Sequence, residues 1–318
     1  MNSVNTSFFA KILLFGEYGI IRDAMALSIP FKEYEGSFRF VPTDAAVVAP
    51  EVKESLEALR AFARHLRALA DGGEALAALN LVQLDADLDR GLFFDSSIPQ
   101  GFGVGSSGAL VAALYARYAL NPCPVDHQLN KELLVALKAE LAQMECFFHG
   151  RSSGIDPTIC YLQLPLLIRS SDDLGTVHLP EENAEGKGAV FLINSGAPGE
   201  TQPLVTHFME KLKEEGFRKV MKDQFKKYND ACIQAFLQGD PGALFRNLKP
   251  LSSLALEHFD PMIPFGYHEL WQKGIDTNAY YLKLCGSGGG GYILGFAPDF
   301  EAAAPLLKTH DPEVIFRF

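Results

Sequence analysis

An α+β architecture in two domains is what this sequence predicts, and three observations lead there. At 318 residues the chain exceeds what one hydrophobic core usually organises. Strand-like and helix-like segments are mixed along it without a repeating βα unit, which argues against a doubly wound sheet. A polar stretch with two glycines, EENAEGKG, interrupts the pattern and places a boundary near residue 186, giving domains over 1–185 and 186–318.

The elements follow in order. Residues 8–15 and 18–21 read as strand, as do 27–31 and 37–41, where apolar and polar residues roughly alternate in the manner of an edge hairpin. Pro50 opens EVKESLEALRAFARHLRALA, whose leucines and alanines recur at helical spacing with acids in front and bases behind, as the helix dipole favours. A strand pair is expected over 79–85 and 91–95. Pro99 and the glycine run Gly101 to Gly108 lead into a helix, LVAALYARYAL, and Asn130 to Phe148 forms a second long one. His149 and Gly150 end it, Gly150 suiting the left-handed position after a helix, and Arg151 to Pro157 reads as a loop. Strands are expected over 161–169, 175–179 and 189–194, and helices across 202–237, 242–257 and 265–274. YYLKLCGSGGGGYILGF then reads as two strands around a glycine run.

The formal net charge of −11 argues against a nucleic-acid partner, because a polyanion needs a basic face. An anionic substrate would need a few basic side chains or a bound cation at one place. The five cysteines, at 123, 146, 160, 232 and 285, make no CxxC pair and read as reduced thiols without zinc. The opening MNSVNTSFFAKILLFGEYGII lacks a basic leader, and Lys11 and Glu17 break its apolar stretch. A cytoplasmic enzyme with no membrane partner is expected.

The run PQGFGVGSSGAL joins a strand-like segment to the start of an apolar helix, where unpaired backbone N–H groups and the helix dipole converge on an anion. Glycines 101, 103, 105 and 108 let the backbone approach phosphate oxygens, and Ser106 and Ser107 add hydroxyls for phosphate or metal. A P-loop is excluded, since no lysine occurs between Lys53 and Lys131. Gly103, Gly105 and Gly108 match the dinucleotide fingerprint in spacing, yet NPCPVDHQLN stands where its acid-terminated strand should be. A glycine turn serving only chain reversal is the remaining alternative.

Lys11 and Glu17 flank Gly16 in an apolar strand, and buried charges need partners. On this segment alone, Lys11 could equally guard a sheet edge and Glu17 sit solvated in a turn. In MECFFHGRSSGIDP, Glu145 falls in the last helical turns and Asp156 in the loop beyond. Phosphoryl transfer to an alcohol needs one carboxylate to bridge a metal to the phosphates and another to take the hydroxyl proton. These two could supply both, or be surface acids. His149 reads as a helix-terminal residue favoured by the dipole. The run Gly286 to Gly291, with five glycines, implies backbone packed closely on a ligand phosphate or on the first glycine loop.

Together, KILLFGEYGII, PQGFGVGSSGA, HGRSSGID and LCGSGGGG resemble, in order, the motifs of the GHMP kinases, and within them those of the mevalonate kinases. The resemblance runs from Lys11 to Gly291. It implies an amino-terminal domain like the second domain of ribosomal protein S5, a ferredoxin-like carboxy-terminal domain, and transfer of phosphate from ATP to mevalonate in isoprenoid synthesis. Another GHMP kinase, acting on phosphomevalonate or a sugar, or a noncatalytic nucleotide-binding regulator, is the alternative. The resemblance further implies Asp156 as the catalytic carboxylate with Lys11 beside it, and Ser107 and Glu145 as ligands of Mg²⁺. Pro99, Gly101, Gly103, Gly105, Ser106, Ser107 and Gly108 would hold the nucleotide. Glu17, Tyr18, Thr201, Gly288, Gly289 and Gly290 would line the acceptor side. A homodimer is a family-based expectation.

The chain departs from the pattern at named places. Tyr18 stands where mevalonate kinases have histidine, Arg151 and Ser152 replace Asn-Pro, Phe102 replaces a small residue and Gly108 an alanine. The first two departures fall on the acceptor side.

Overall fold

The computed structural model describes residues 6–22, 24–42, 47–125, 129–170 and 172–318. They form two compact units, one gathering the chain up to Lys11 with Pro30–Pro99 and Gly105–Leu164, the other Ile12–Ile29, Gln100–Val104 and Pro165–Phe318. Two strands, β1 (Phe8–Phe15) and β2 (Ala26–Phe40), give part of their length to each.

In the first unit, α1 (Pro50–Asp71) starts on a proline whose missing N–H costs nothing there, and it buries the stripe Leu59, Phe62, Ala63 and Leu66. Next comes α2 (Leu81–Asp89), and then β3 (Leu92–Ser96), which pairs antiparallel with β2 from Gly36↔Ser96 to Phe40↔Leu92. Three helices complete the unit: α3 (Ser106–Tyr118), α4 (Lys131–His149) and α5 (Ile155–Leu162). Asp87 of α2 is wholly buried and accepts from the Arg117 guanidinium at 2.6 Å and the Tyr118 hydroxyl at 2.9 Å, so a paired charge ties α2 to α3.

In the second unit, the opening of β2 pairs antiparallel with β4 (Leu166–Ser170), which pairs with β5 (Asp173–Thr176). The chain continues through β6 (Ala189–Asn194), α6 (Thr201–Lys211), α7 (Glu215–Val220), a π turn at Met221–Phe225, α8 (Lys226–Leu237), α9 (Pro241–His258) and α10 (His268–Thr277). It ends with β7 (Tyr281–Leu284), β8 (Tyr292–Ala297), α11 (Phe300–Leu307) and β9 (Glu313–Arg317). An antiparallel sheet in the order β7-β8-β6-β9 forms its centre. Trp271 of α10 is fully buried and donates to Ser252 Oγ of α9 at 2.8 Å, and that hydroxyl donates to the Leu282 carbonyl of β7 at 2.7 Å. No helix among the described residues is long and apolar enough to cross a membrane.

The structure corrects the sequence expectation in several places. Residues 79–85 are not a strand: Leu84, Asp87 and Leu88 turn inward at helical spacing, and Asn80 caps α2 by accepting from the Gln83 amide at 3.0 Å. Residues 18–21 lie in a turn and the 3₁₀ helix Gly19–Arg22, because Gly16 takes φ +108° and bends the chain after β1. Segments 27–31 and 37–41 are one continuous strand rather than two. The expected loop 151–157 and strand start at 161 overlap α5, whose opening Gly154 takes φ +72°. Pro157 sits in its first turn, where no intrahelical N–H bond is lost. The last helix and strand, α11 and β9, were not expected from the pattern.

Candidate active site

Three helix ends and one strand of the first unit bring its charged residues together. Lys11, 3% exposed on β1, places Nζ 2.9 Å from Oδ2 of Asp156, which is 36% exposed in the first turn of α5. The helix dipole favours a carboxylate at that end. Lys11 therefore guards no sheet edge. Two glycines give this pair its room. At Gly105, φ +83°, a Cβ would come within 2.8 Å of Lys11 Cγ; at Gly108 one would lie 2.9 Å from the Asp156 carbonyl carbon. The start of α3 thus closes onto the start of α5 by backbone contact, which the family's alanine at 108 would obstruct.

Beside them, Ser107 Oγ donates to Glu145 Oε1 at 3.0 Å and lies 3.0 Å from His149 Nε2. Glu145 is buried near the end of α4, and its Oε2 accepts from Ser152 Oγ. Burial, then the Asp156 charge, pushes the Glu145 carboxyl up to about 7, against the pull of Ser152, Ser107 and Lys11. Burial also holds the His149 imidazole below its ordinary value. Among the described residues, no group of three or more His, Cys, Asp or Glu side chains is placed to hold a metal by itself. Ser107 and Glu145 nonetheless offer adjacent hard oxygen donors at a helix N-terminus, a set that suits Mg²⁺ shared with phosphate oxygens.

Of the other predicted residues, Pro99 and Ser106 belong to the first unit, and Glu17, Tyr18, Gly101, Gly103, Thr201 and Gly288 to Gly290 to the second. Gly101 to Val104, the loop 195–200 and the run Cys285 to Gly291 stack backbone on backbone. The Gly199 amide donates to the Gly101 carbonyl at 2.8 Å and the Gly291 amide to Ala197 at 2.6 Å. A Cβ at Gly103 would meet the Cys285 oxygen at 2.4 Å, one at Gly290 the Gly199 nitrogen at 2.6 Å, and one at Gly291 Phe102 Cα at 2.4 Å. The glycine run therefore packs on the first glycine loop, one of its two expected uses. Phe102 takes an edge-on place against Tyr292, ring centroids 5.5 Å apart.

Glu17 is 5% exposed and accepts from the buried Lys283 ammonium, so it is no solvated turn residue. Tyr18, at φ +55°, packs on Phe208 and Phe259 and donates through its hydroxyl to the Ser287 carbonyl at 2.7 Å. Thr201 Oγ1 lies 3.0 Å from Ser287 Oγ. Gly288 and Gly290 are buried and Gly289 is exposed. Pro99 is half-buried before the loop, and Ser106 opens α3.

Four contributors have no site role in the sequence analysis: His149, read there as helix-terminal, Ser152, noted only as a departure from the family pattern, Lys283 and Ser287. His149 carried a usable signal, since it lies four residues after Glu145 on one helix and shares its face. Lys283 was an isolated cation in an apolar strand, the same kind of signal that marked Lys11.

Comparison with known proteins gives concordant matches. The family model of the GHMP kinases N terminal domain matches residues 58–163. Over 311 residues the chain is 24% identical to a mevalonate kinase of Thermococcus sibiricus, covering 92% of this chain and 89% of that one. The L. major mevalonate kinase in complex with R-mevalonate superposes with a TM-score of 0.62 at 18% identity, covering 95% of this chain and 90% of that one. A Streptococcus pneumoniae phosphomevalonate kinase in complex with phosphomevalonate and AMPPNP gives a TM-score of 0.60 at 14% identity, covering 98% of each chain.

Proposed function

We propose that this chain is a GHMP kinase that uses ATP to phosphorylate the hydroxyl of a small metabolite, with mevalonate as the acceptor; the family-model match over residues 58–163, the mevalonate kinase relatives and the shared α+β fold support this reading. The observation that carries this reading is the buried Lys11 ammonium 2.9 Å from the accessible Asp156 carboxylate, beside the glycine-rich start of α3. Asp156 takes the acceptor's hydroxyl proton as its oxygen bonds to the γ-phosphorus and the bond from that phosphorus to ADP breaks. Lys11 supplies the positive charge next to the oxygens that gain negative charge.

Pro99, Gly101, Gly103, Gly105, Ser106, Ser107 and Gly108 hold the nucleotide, with the glycine and serine amides of this stretch as the phosphate donors. Ser107 and Glu145 hold Mg²⁺, which when bound neutralises charge on the transferring phosphoryl group. Glu17, Tyr18, Thr201 and Gly288 to Gly290 define the acceptor side. A phosphorylated acceptor would need an additional basic cluster, whereas Lys11 and Lys283 are each matched to a carboxylate, Asp156 and Glu17.

An ADP-release assay with Mg-ATP over mevalonate, phosphomevalonate, galactose and homoserine tests the reading. Mevalonate should give the highest kcat/KM. Turnover of phosphomevalonate alone would reassign the acceptor, and ATP binding without ADP release on any alcohol would mark a noncatalytic nucleotide-binding protein.

A further inference from the structure

We propose that Ser152 is a positioning residue that presets the Glu145 carboxylate for the magnesium-nucleotide complex, a role that the proline of the related motif cannot fill. The proposal rests on the kinase reading and deepens it. Glu145 is 4% exposed, so how its carboxylate lies is decided by protein groups. Both of its oxygens are engaged, Oε1 by the Ser107 hydroxyl at 3.0 Å and Oε2 by the Ser152 hydroxyl. Two donors on opposite oxygens fix the plane of the group, which a single donor leaves free to turn about its last torsion.

The Ser152 hydroxyl is itself fixed. Its oxygen accepts from the Gly154 amide at 2.9 Å, an N–H that precedes α5 and so has no helical partner. The hydroxyl hydrogen is therefore directed at Glu145, and the same turn leads directly to Asp156. On the other side, His149 Nε2 lies 3.0 Å from Ser107 Oγ, so Ser107 is anchored independently of Glu145. In this chain, then, one short turn, Gly150 to Gly154, orients Glu145 and delivers Asp156. A proline at 152 has no donor and would leave Oε2 to water.

The test compares wild type, Ser152→Ala and Ser152→Thr by calorimetric titration with a nonhydrolysable ATP analogue, with and without Mg²⁺. Thr keeps the hydroxyl. Losing a hydrogen bond to a charged group should cost roughly tenfold in affinity. Ser152→Ala is expected to lose roughly tenfold in the presence of Mg²⁺ and to change little in its absence, with Thr restoring wild-type affinity. In a Glu145→Gln background the same Ala substitution should have no further effect on the Mg²⁺-dependent part. Thermal melting of each variant checks that it is folded; if Ser152→Ala does not fold, the Thr variant and Ser152→Cys, a weaker donor, carry the comparison. Equal loss with and without Mg²⁺, or no loss, would overturn the positioning role while leaving the kinase reading intact. Absence of Mg²⁺-dependent binding in the wild type would overturn both.

Discussion

Glu145 is where a single residue's environment makes the sharpest prediction. Its carboxyl is raised from 4.5 to about 7, first by burial and then by the Asp156 charge. Between those two values the folded protein holds a proton that the unfolded chain has released. Stability is therefore greatest below pH 4.5 as far as this group is concerned, and declines as pH rises to about 7. Thermal melting of the ligand-free protein against its Glu145→Gln variant checks this: the variant should gain stability over wild type steadily from pH 5 to pH 7.5, and a constant difference would contradict it. The Lys11 and Asp156 pair could be anticipated from the sequence because a charge in an apolar strand demands a partner. Which partner it meets could not be read from the residues alone, since Lys11 and Asp156 are 145 positions apart (156 minus 11), and only the family resemblance set the two side by side.

Among the elements, α3 and α5 decide how precisely Asp156 is held. Their N-termini meet at Gly108, where a Cβ would sit 2.9 Å from the Asp156 carbonyl carbon and from Pro157 N. Backbone cannot swing aside as a side-chain tip can. Gly108→Ala should therefore push α5 away, costing about 1–3 kcal/mol as overpacking does. It should lower kcat roughly a hundredfold, the order of effect of an ångström-scale misplacement. Steady-state kinetics with a melting curve checks this, and unchanged kcat would show that α5 shifts without moving Asp156. The strong helix patterns of α1 and α4 could be read directly, because leucine and alanine recur on one face and the ends are marked. By contrast, α2 and α5 could not: LNLVQL alternates like a strand over a short window, and Gly-Ile-Asp-Pro spells a turn when nothing shows that Gly154 adopts the left-handed conformation that starts a helix.

At the scale of the whole molecule, the four motifs that pointed to a phosphoryl-transfer enzyme fall into two coherent clusters. Lys11, Gly105, Ser107, Gly108, Glu145 and Asp156 share the first unit, and the contacts among them need the glycines at those positions. Glu17, Tyr18, Gly101, Gly103, Thr201 and the run to Gly291 share the second, where Ser287 joins Tyr18 to Thr201. Motif order was readable because glycine runs and isolated charges stand out in an ordinary background composition. The stacking of Gly101 to Val104 on Cys285 to Gly291 was readable only as one of two options, since a glycine run looks the same whether it approaches a phosphate or another backbone.

Phosphorus NMR of the reaction mixture tests the central claim most directly: wild type and Asp156→Asn are each incubated with Mg-ATP and mevalonate. A new phosphomonoester signal, matching 5-phosphomevalonate, should appear with the wild type and be reduced at least roughly a thousandfold in rate with the variant, whose side chain cannot accept the proton. Formation of that ester at comparable rates by both proteins would contradict the role assigned to Asp156 and, with it, the account given of the site.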